Sequence, residues 1–369
     1  MSFCENCGSS VSPSQSYCGK CGTKVIIKIS EIKRTFIGKI SHKITNEVEL
    51  DDIQTFSVRE LFSNAVKRHG QDEVESLLSI GTLNTTPPLE ESMTILPHPW
   101  MFSKFLFIFL TGFFIFMCAW SFTENTNLIP ALIMVGSFAV PISMVVFFYE
   151  LNTPRNISIY KTIYAVFIGG AVAILFTLIL YSITDLGHLL GPLGVGIVEE
   201  LGKFAGVLYV MRKMGHGRYP YLLNALLLGA AVGAGFAAFE SAGYAFNALY
   251  DIDNAAVLNY DAMIINIFLR GILSPFAHIL WTAIAAAAFW MMREKGRIQT
   301  YPKSTRNPIK LLLLSIMLHF LWDLNFMNFL LKDILLGIIA WIVVISIVQL
   351  GLKQIKIILE TQNLSQTPI

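Results

Sequence analysis

Three ionisable residues lie close together inside an apolar stretch of the sequence, IVEELGKF at residues 197–204. Glu199, Glu200 and Lys203 are ionisable, and a charged side chain is costly to place in the middle of a bilayer. On a helix, Lys203 follows Glu199 by four residues and Glu200 by three, so the lysine can pair with either carboxylate and would tune its ionisation. A carboxylate in a water-accessible cavity can act as a general base, and these residues are therefore candidate catalytic groups.

Other apolar stretches carry acids and imidazoles as well. Glu240 lies in GAGFAAFES, His278 in SPFAHILWTA, and His319 and Asp323 in LHFLWD. Counted at about 1.5 Å per residue, these residues fall at overlapping depths in the middle to outer half of a bilayer. Scattered lipid-facing charges would each be costly, so the pattern predicts one polar site inside a helical bundle. Asp323 is expected to hydrogen-bond to His319, four residues before it, or to take part directly.

Hydrolysis of a peptide bond is a chemistry that such residues could perform. It needs a base that activates water, a donor that stabilises the oxyanion and a proton source for the leaving amine. Glu199 or Glu200 suits the base, and His278 or His319 would donate to the oxyanion or bind a metal. The sequence contains neither a GxSxG serine motif nor an HExxH zinc motif. A catalytic divalent ion held by the Glu, His and Asp residues stays an open alternative.

Transmembrane helices are the elements that must position these residues. The chain has 369 residues, of which 54% are hydrophobic and 14% charged, and its mean hydropathy is +0.60. The predicted fold class is an all-α polytopic membrane protein, a bundle of about eight transmembrane helices, because uncharged runs of roughly 20 residues can cross a bilayer. We predict these helices at residues 103–123, 128–149, 161–183, 188–211, 221–248, 263–292, 309–327 and 329–351. Pro275, three residues before His278, predicts a kink in the sixth.

Basic residues are concentrated in alternate loops of this arrangement. They follow the second, fourth, sixth and eighth predicted spans, whereas acids follow the first, third and fifth. By the positive-inside rule, both termini of this multi-pass protein of the cell membrane are cytoplasmic, and no cleavable signal peptide is expected. The net charge of +2 is sorted by loop, so nucleic acid is not expected as a partner.

Two CxxCG motifs stand near the front of the sequence. Cys4 and Cys7 form the first pair, and Cys18 and Cys21 form the second. This spacing predicts a zinc ribbon at residues 1–24, in which four thiolates bind one structural zinc ion and leave no open position for a substrate. Two disulfides are the alternative, which a cytoplasmic location disfavours.

The predicted domain organisation follows from these patterns. The zinc ribbon at 1–24 precedes a soluble cytoplasmic connector at 25–98, a transmembrane domain at 99–352 that carries the candidate site, and a cytoplasmic tail at 353–369. Within the connector, apolar positions at helical spacing, broken near Gly70, predict a small helical hairpin docked on the membrane surface or on a partner.

The charged residues also occur in an order that resembles a known family. The matching patterns are EExxK at Glu199, Glu200 and Lys203, FxxxE at Phe236 and Glu240, a third motif at His278, and HxxxD at His319 and Asp323. Over residues 155–350 the chain resembles the PrsW family of intramembrane proteases, relatives of the CAAX prenyl endopeptidases and of the Aph-1 subunit of γ-secretase. The resemblance implies a bacterial endopeptidase in the lipid bilayer that cuts membrane-anchored protein substrates, as some members cut anti-sigma factors. It implies catalytic roles for the residues of the motifs and leaves open whether the glutamates act alone or with a metal.

Two other classes of function stay open. A proton- or cation-coupled transporter would also place Glu, His and Asp near mid-membrane, with helices broken at glycines such as those from Gly191 to Gly196. A non-catalytic membrane scaffold would keep the fold without turnover. A buried ion pair that only stabilises the bundle needs one carboxylate, and the second glutamate of the EExxK motif is surplus to it.

Overall fold

The computed structural model divides into two compact units, Met1–Asp52 and Ile53–Ile369. It describes residues 2–3, 10–11, 58–91, 97–214, 219–250, 258–293, 308–326 and 328–366. In the first unit, these residues form an antiparallel pair of two short strands, β1 (Ser2–Phe3) and β2 (Ser10–Val11). The predicted zinc ligands Cys4, Cys7, Cys18 and Cys21 lie outside the described residues.

The second unit is built from α-helices. They are α1 (Val58–Leu61), α2 (Gln71–Leu78), α3 (Met101–Thr123), α4 (Ile129–Leu151), α5 (Ile159–Tyr164), α6 (Gly170–Ile183), α7 (Leu186–Leu190), α8 (Pro192–Met214), α9 (Leu222–Leu249), α10 (Tyr260–Leu273), α11 (His278–Arg293), α12 (Ile309–Asp323) and α13 (Phe329–Gln366). A 3₁₀ turn, Thr126–Leu128, leads into α4, and a π-helical segment, Ala165–Gly169, joins α5 to α6.

Six helical segments in the described part of the chain are long and apolar enough to cross a membrane. They are Met101–Thr123, Thr126–Leu151, Ile159–Ile183, Leu222–Leu249, Tyr260–Arg293 and Phe329–Gln362. The protein is therefore a multi-pass membrane protein, and the count of eight spans stays a prediction. α8 is less apolar because it carries the charged motif, and the 15 residues of α12 reach only about 22 Å of a core of about 30 Å.

The outer surface of the bundle is apolar. Large hydrophobic side chains stand exposed along the helices, among them Phe107, Phe122 and Ile183. Such a surface is unfavourable in water, and hydrocarbon chains would cover it in a bilayer.

α9 lies at the centre of the bundle. Its residues from Leu222 to Ala238 are all buried, and the helix packs against α4, α6, α10, α11 and α13. Two glycines allow its closest approach, because a Cβ on Gly235 would lie 1.9 Å from the carbonyl oxygen of Val166 and one on Gly170 would lie 2.7 Å from the backbone of Gly235. The first turn of α6 therefore touches α9 backbone to backbone.

Two of the helices that carry candidate site residues begin at a break. Gly191 has a φ of 55°, in the left-handed region that favours glycine, and separates α7 from α8. A 3₁₀ turn, Ser274–Phe276, separates α10 from α11, so the kink predicted at Pro275 is confirmed and His278 is the first residue of its helix. The break at Gly191 lies beside the cavity of the site described below.

The described part of the connector packs on the ends of the membrane helices. Its helices α1 and α2 lie on either side of Gly70, as predicted. Phe62 stacks on Phe147 of α4 with ring centroids 5.6 Å apart, and the hydroxyl of Tyr149 donates to the carbonyl of Ile80 at 3.1 Å. The hairpin is thus docked on the protein's own helices.

Candidate active site

Four helices bring the predicted site residues together. α8 supplies Glu199, Glu200 and Lys203, α9 supplies Glu240, α11 supplies His278, and α12 supplies His319 and Asp323. Each of these side chains lies within 3.6 Å of at least one other, so the predicted residues form one connected cluster.

Lys203 is at the centre of the cluster and is fully buried. Its Nζ lies 2.8 Å from Glu200 Oε1, 2.8 Å from His278 Nδ1 and 3.4 Å from Glu199 Oε2. An ammonium has three donors, and three acceptors are present. The aromatic ring of Phe236, with its centroid 4.5 Å from Nζ, covers a further side. The lysine therefore ties α8 to α11 and fixes both carboxylates.

The hydrogen-bond network assigns different tautomers to the two histidines. With Lys203 donating to Nδ1 of His278, the proton of His278 is on Nε2, which donates to Glu240 Oε2 at 3.0 Å. His319 donates from Nδ1 to Glu200 Oε1 at 2.9 Å, and its Nε2 keeps a lone pair. One ring therefore offers a donor at Nε2 and the other an acceptor.

Asp323 is farther from His319 than the spacing suggested. Its Oδ2 lies 3.6 Å from Nε2 of His319, which is too long for a hydrogen bond. Glu200 orients the imidazole from the other side, at Nδ1. The expected hydrogen bond is not formed, and Asp323 is instead a wall of the cavity beside the ring.

Glu199 and Glu200 point in different directions, because consecutive helical residues are about 100° apart. Glu200 is only 5% exposed and faces packed neighbours. Glu199 lines a cavity of about 430 Å³. The other charged or imidazole side chains that line this cavity are those of Glu240, Arg270, His278, His319 and Asp323. Gly191 and Pro192, at the break before α8, line it as well. Of Glu199 and Glu200, Glu199 is therefore the residue whose carboxylate a water molecule in the cavity would contact.

Arg270 of α10 belongs to the site and was not among the predicted residues. Its guanidinium pairs with the Glu240 carboxylate, its Nε donates to the hydroxyl of Ser241 at 2.9 Å, and its Cζ lies 4.3 Å from the centroid of the Tyr244 ring. The available signal was a lone arginine in the apolar run IINIFLRGIL.

Lys332 of α13 holds the cluster from outside and was also missed. It is 3% exposed, and its Nζ donates to the carbonyl of Trp322 and, at 2.8 Å, to that of Leu324. These are carbonyls at the C-terminal end of α12, where a cation is favourable. Lys332 thereby fixes the end of the helix that carries His319 and Asp323.

Three of the cluster residues could hold a metal ion. Ligand atoms of Glu199, His278 and His319 lie within 4.8 Å of one another. Two nitrogens and a carboxylate oxygen are a donor set that zinc accepts, with a fourth position left for water. Nε2 of His319 is open, whereas Nε2 of His278 would first have to lose the proton that it donates to Glu240. The residues fit a divalent ion in type and proximity.

Comparison with known proteins finds one family that matches the chain. No curated protein and no solved structure matches the chain. A family model described as "PrsW family intramembrane metalloprotease" matches residues 154–350, which is more than half of the chain and includes the whole predicted cluster. The chain belongs to the PrsW family of intramembrane proteases.

Proposed function

We propose that the chain is an endopeptidase that hydrolyses peptide bonds of membrane-anchored proteins inside the bilayer. The observation that carries the proposal is the cavity of about 430 Å³ within an apolar bundle, on whose wall Glu199 stands beside His278 and His319. Membership of a family of intramembrane proteases supports the same reaction class.

Activation of water is assigned to Glu199 and His319. Glu199 Oε2 and His319 Nε2 are two acceptors 3.5 Å apart on the cavity wall. A water molecule on the cavity side of this pair can donate one hydrogen to each acceptor, which leaves an oxygen lone pair free for attack. As that oxygen attacks the carbonyl carbon of the substrate, Glu199 takes a proton from it.

Stabilisation of the oxyanion is assigned to His278 and Arg270. Both are donors that line the cavity, and both bind Glu240 in the absence of substrate. The carbonyl oxygen of a bound peptide would share these donors as it gains negative charge, and one such donor is worth about 10²–10³ in rate. Glu199 then passes its proton to the amide nitrogen as the C–N bond breaks. The products are a carboxyl and an amine, and water is the only co-reactant.

Glu200 and Lys203 act as positioning residues in this proposal. Lys203 holds Glu199 at 3.4 Å, and Glu200 holds the imidazole of His319 at 2.9 Å. Fixing these groups by hydrogen bonds behind the cavity keeps the base and the acceptor in place for reaction.

Metal assistance is a second form of the same proposal. A divalent ion held by Glu199, His278 and His319 would supply Lewis acidity to water and to the carbonyl. Separately, we propose a structural zinc ion bound by Cys4, Cys7, Cys18 and Cys21, the cysteines of the two CxxCG motifs. Both termini are assigned to the cytoplasm on the basis of the basic loops.

Metal analysis of the purified full chain separates these forms. One zinc per chain, lost in Cys7→Ser without loss of cleavage, supports a structural ribbon and a metal-free site. Two ions per chain, one of which remains in Cys7→Ser, support metal assistance. Wild type without zinc would contradict the ribbon.

The main test is the cleavage of a single-pass reporter protein in proteoliposomes. We expect Glu199→Gln to lower the cleavage rate by about 10²–10⁴-fold, because the amide cannot accept the proton. Glu124→Gln, which makes the same change at an exposed position after α3, is the matched control and should cleave normally. Equal cleavage by Glu199→Gln and wild type would contradict the proposal. Solute flux or charge movement lost in Glu199→Gln, without cleavage in wild type, would identify a transporter instead.

A further inference from the structure

A second cavity lies on the other side of Glu199, between α6 and α9. It has a volume of about 300 Å³. Its apolar walls include Ile174 and Leu178 of α6 and Phe236 and Phe239 of α9. No role in the proposed hydrolysis has been assigned to this cavity.

Helix geometry explains why the cavity exists. α6 and α9 touch backbone to backbone where Gly170 meets Gly235, with only 2.7 Å available to an added Cβ. From that contact, wall residues recur at helical spacing along each helix. They are Ile174, Leu178 and Tyr181 on α6, and Phe239, Gly243 and Asn247 on α9. The second cavity therefore lies beyond the glycine contact, as a cleft between these two helix faces.

The cleft adjoins the candidate active site directly. Glu199, Glu240 and Tyr244 line both cavities. The hydroxyl of Tyr181, on the cleft side, lies 3.5 Å from Glu199 Oε1. The base proposed for hydrolysis thus faces a polar cavity on one side and an apolar cleft on the other.

The rim of the cleft faces the surroundings of the bundle. Leu178 is 57% exposed and Tyr244 is 50% exposed, although both line the cleft. Neighbouring side chains outside it, Leu175 and Phe246, are likewise exposed and apolar. In a bilayer this surface meets the hydrocarbon region, so an apolar chain could enter from the side without crossing water.

We propose that this cleft is the docking site for the transmembrane segment of the substrate, and that it takes a large apolar side chain next to the scissile bond. The inference rests on the proposed proteolysis, since it places the substrate against Glu199. A cavity of 300 Å³ lined by aliphatic and aromatic side chains suits a Phe or Leu side chain.

Gly243 makes the proposal testable. It lines the cleft, and a Cβ added there would meet no atom within 4 Å. A side chain added at this position therefore begins in open space at the edge of the cleft. Gly112 of α3 is a matched control, because a Cβ added there also meets no atom within 4 Å and it lies outside both cavities.

The experiment uses the full chain in proteoliposomes with single-pass reporters. Each reporter carries one Phe at a different position of a transmembrane segment built from Ala and Val, whose side chains are smaller, and the same segment without Phe is the reference. We expect wild type to cut at a fixed distance from the Phe. Gly243→Leu should reduce cleavage of the Phe reporter by about tenfold relative to the reference, since one methylene more or less in a hydrophobic pocket already changes kcat/KM by about 10–200-fold. Gly112→Leu should cleave both reporters as wild type does.

A cross-linking measurement tests docking without cleavage. Gly243→Cys should form a disulfide with a reporter cysteine next to the Phe, and Gly112→Cys should not, both in a Cys118→Ser background because Cys118 is exposed. If Gly243→Leu cleaves both reporters as wild type does, and the two cysteine variants cross-link equally, the docking site is wrong and the proposed proteolysis is unaffected. Cross-linking at Gly243→Cys without cleavage by wild type supports docking and contradicts proteolysis. If wild type does not cleave the reporter and Gly243→Cys does not cross-link to it, the docking site and the proposed proteolysis are both contradicted.

Discussion

The bundle buries two polar clusters on the same central helix, and they differ in charge. Near the start of α9, Asn224 donates to Asn152 and to Asn156, at 2.7 Å in both cases. Sixteen positions later in the sequence, about 24 Å along the helix, Glu240 belongs to the charged cluster of the candidate site. One cluster consists of neutral amides and the other of carboxylates, imidazoles and cations.

The two clusters also differ in how completely they are hydrogen-bonded. In the amide cluster, Asn224 Oδ1 accepts from Asn156 at 3.2 Å and from the backbone of Tyr221 at 3.3 Å, so donors and acceptors satisfy one another. In the charged cluster, Glu200 Oε2 is buried without a partner among the described residues, and Glu199 opens on a cavity. Neutral, closed pairing suffices to join helices. Charge and open volume are features that chemistry requires.

The largest expected effect on stability comes from breaking the charged cluster at Lys203. Lys203→Met leaves two carboxylates without their cation, and removing one partner of a buried pair costs about 3–5 kcal/mol. Unfolding in detergent, followed by circular dichroism, measures this loss. The double variant Lys203→Met with Glu200→Gln should recover part of it. A Lys203→Met protein as stable as wild type would contradict the central role of the lysine.

A second loss is expected from Lys332, which supports the charged cluster from α13. Lys332→Met removes two hydrogen bonds to the end of α12 and an ion pair with Asp333 at 3.4 Å, and a hydrogen bond that involves a charged group is worth about 1.5–3 kcal/mol. Because that end carries Asp323, we expect kcat of reporter cleavage to fall while KM changes little. Lys356→Met, near the surface of the same helix, is the control. Equal kcat in both variants would argue against positioning by Lys332.

The amide cluster should respond in stability and not in chemistry. Asn224→Ala leaves the amides of Asn152 and Asn156 short of a partner and should cost about 1–3 kcal/mol of unfolding free energy. Cleavage per folded molecule should equal that of wild type. A lower kcat in fully folded Asn224→Ala would contradict the assignment of the amide cluster to stability alone.

The sequence predicted seven residues of the charged cluster, from Glu199 to Asp323, because each is an ionisable residue in an apolar run. It left Glu199 and Glu200 unresolved, since periodicity gives the angle between two residues and the neighbouring helices decide which one meets a cavity. Arg270 was missed although it also lies in an apolar run, and its pairing with Glu240 on another helix is visible only in the structure. Asp323 lies farther from His319 than its spacing along the helix predicted, and the imidazole is instead oriented by Glu200 at its other nitrogen, Nδ1.

The position of α9 at the centre of the bundle has a consequence for insertions and deletions. Removing one residue between Asn224 and Gly235 would turn the rest of the helix by about 100° and shift it by about 1.5 Å. Glu240 would leave His278, Gly235 would leave Gly170, and Gly243 would leave the cleft, all in a single step. Sequence length over this stretch is therefore as strict a requirement as the identity of any side chain in it.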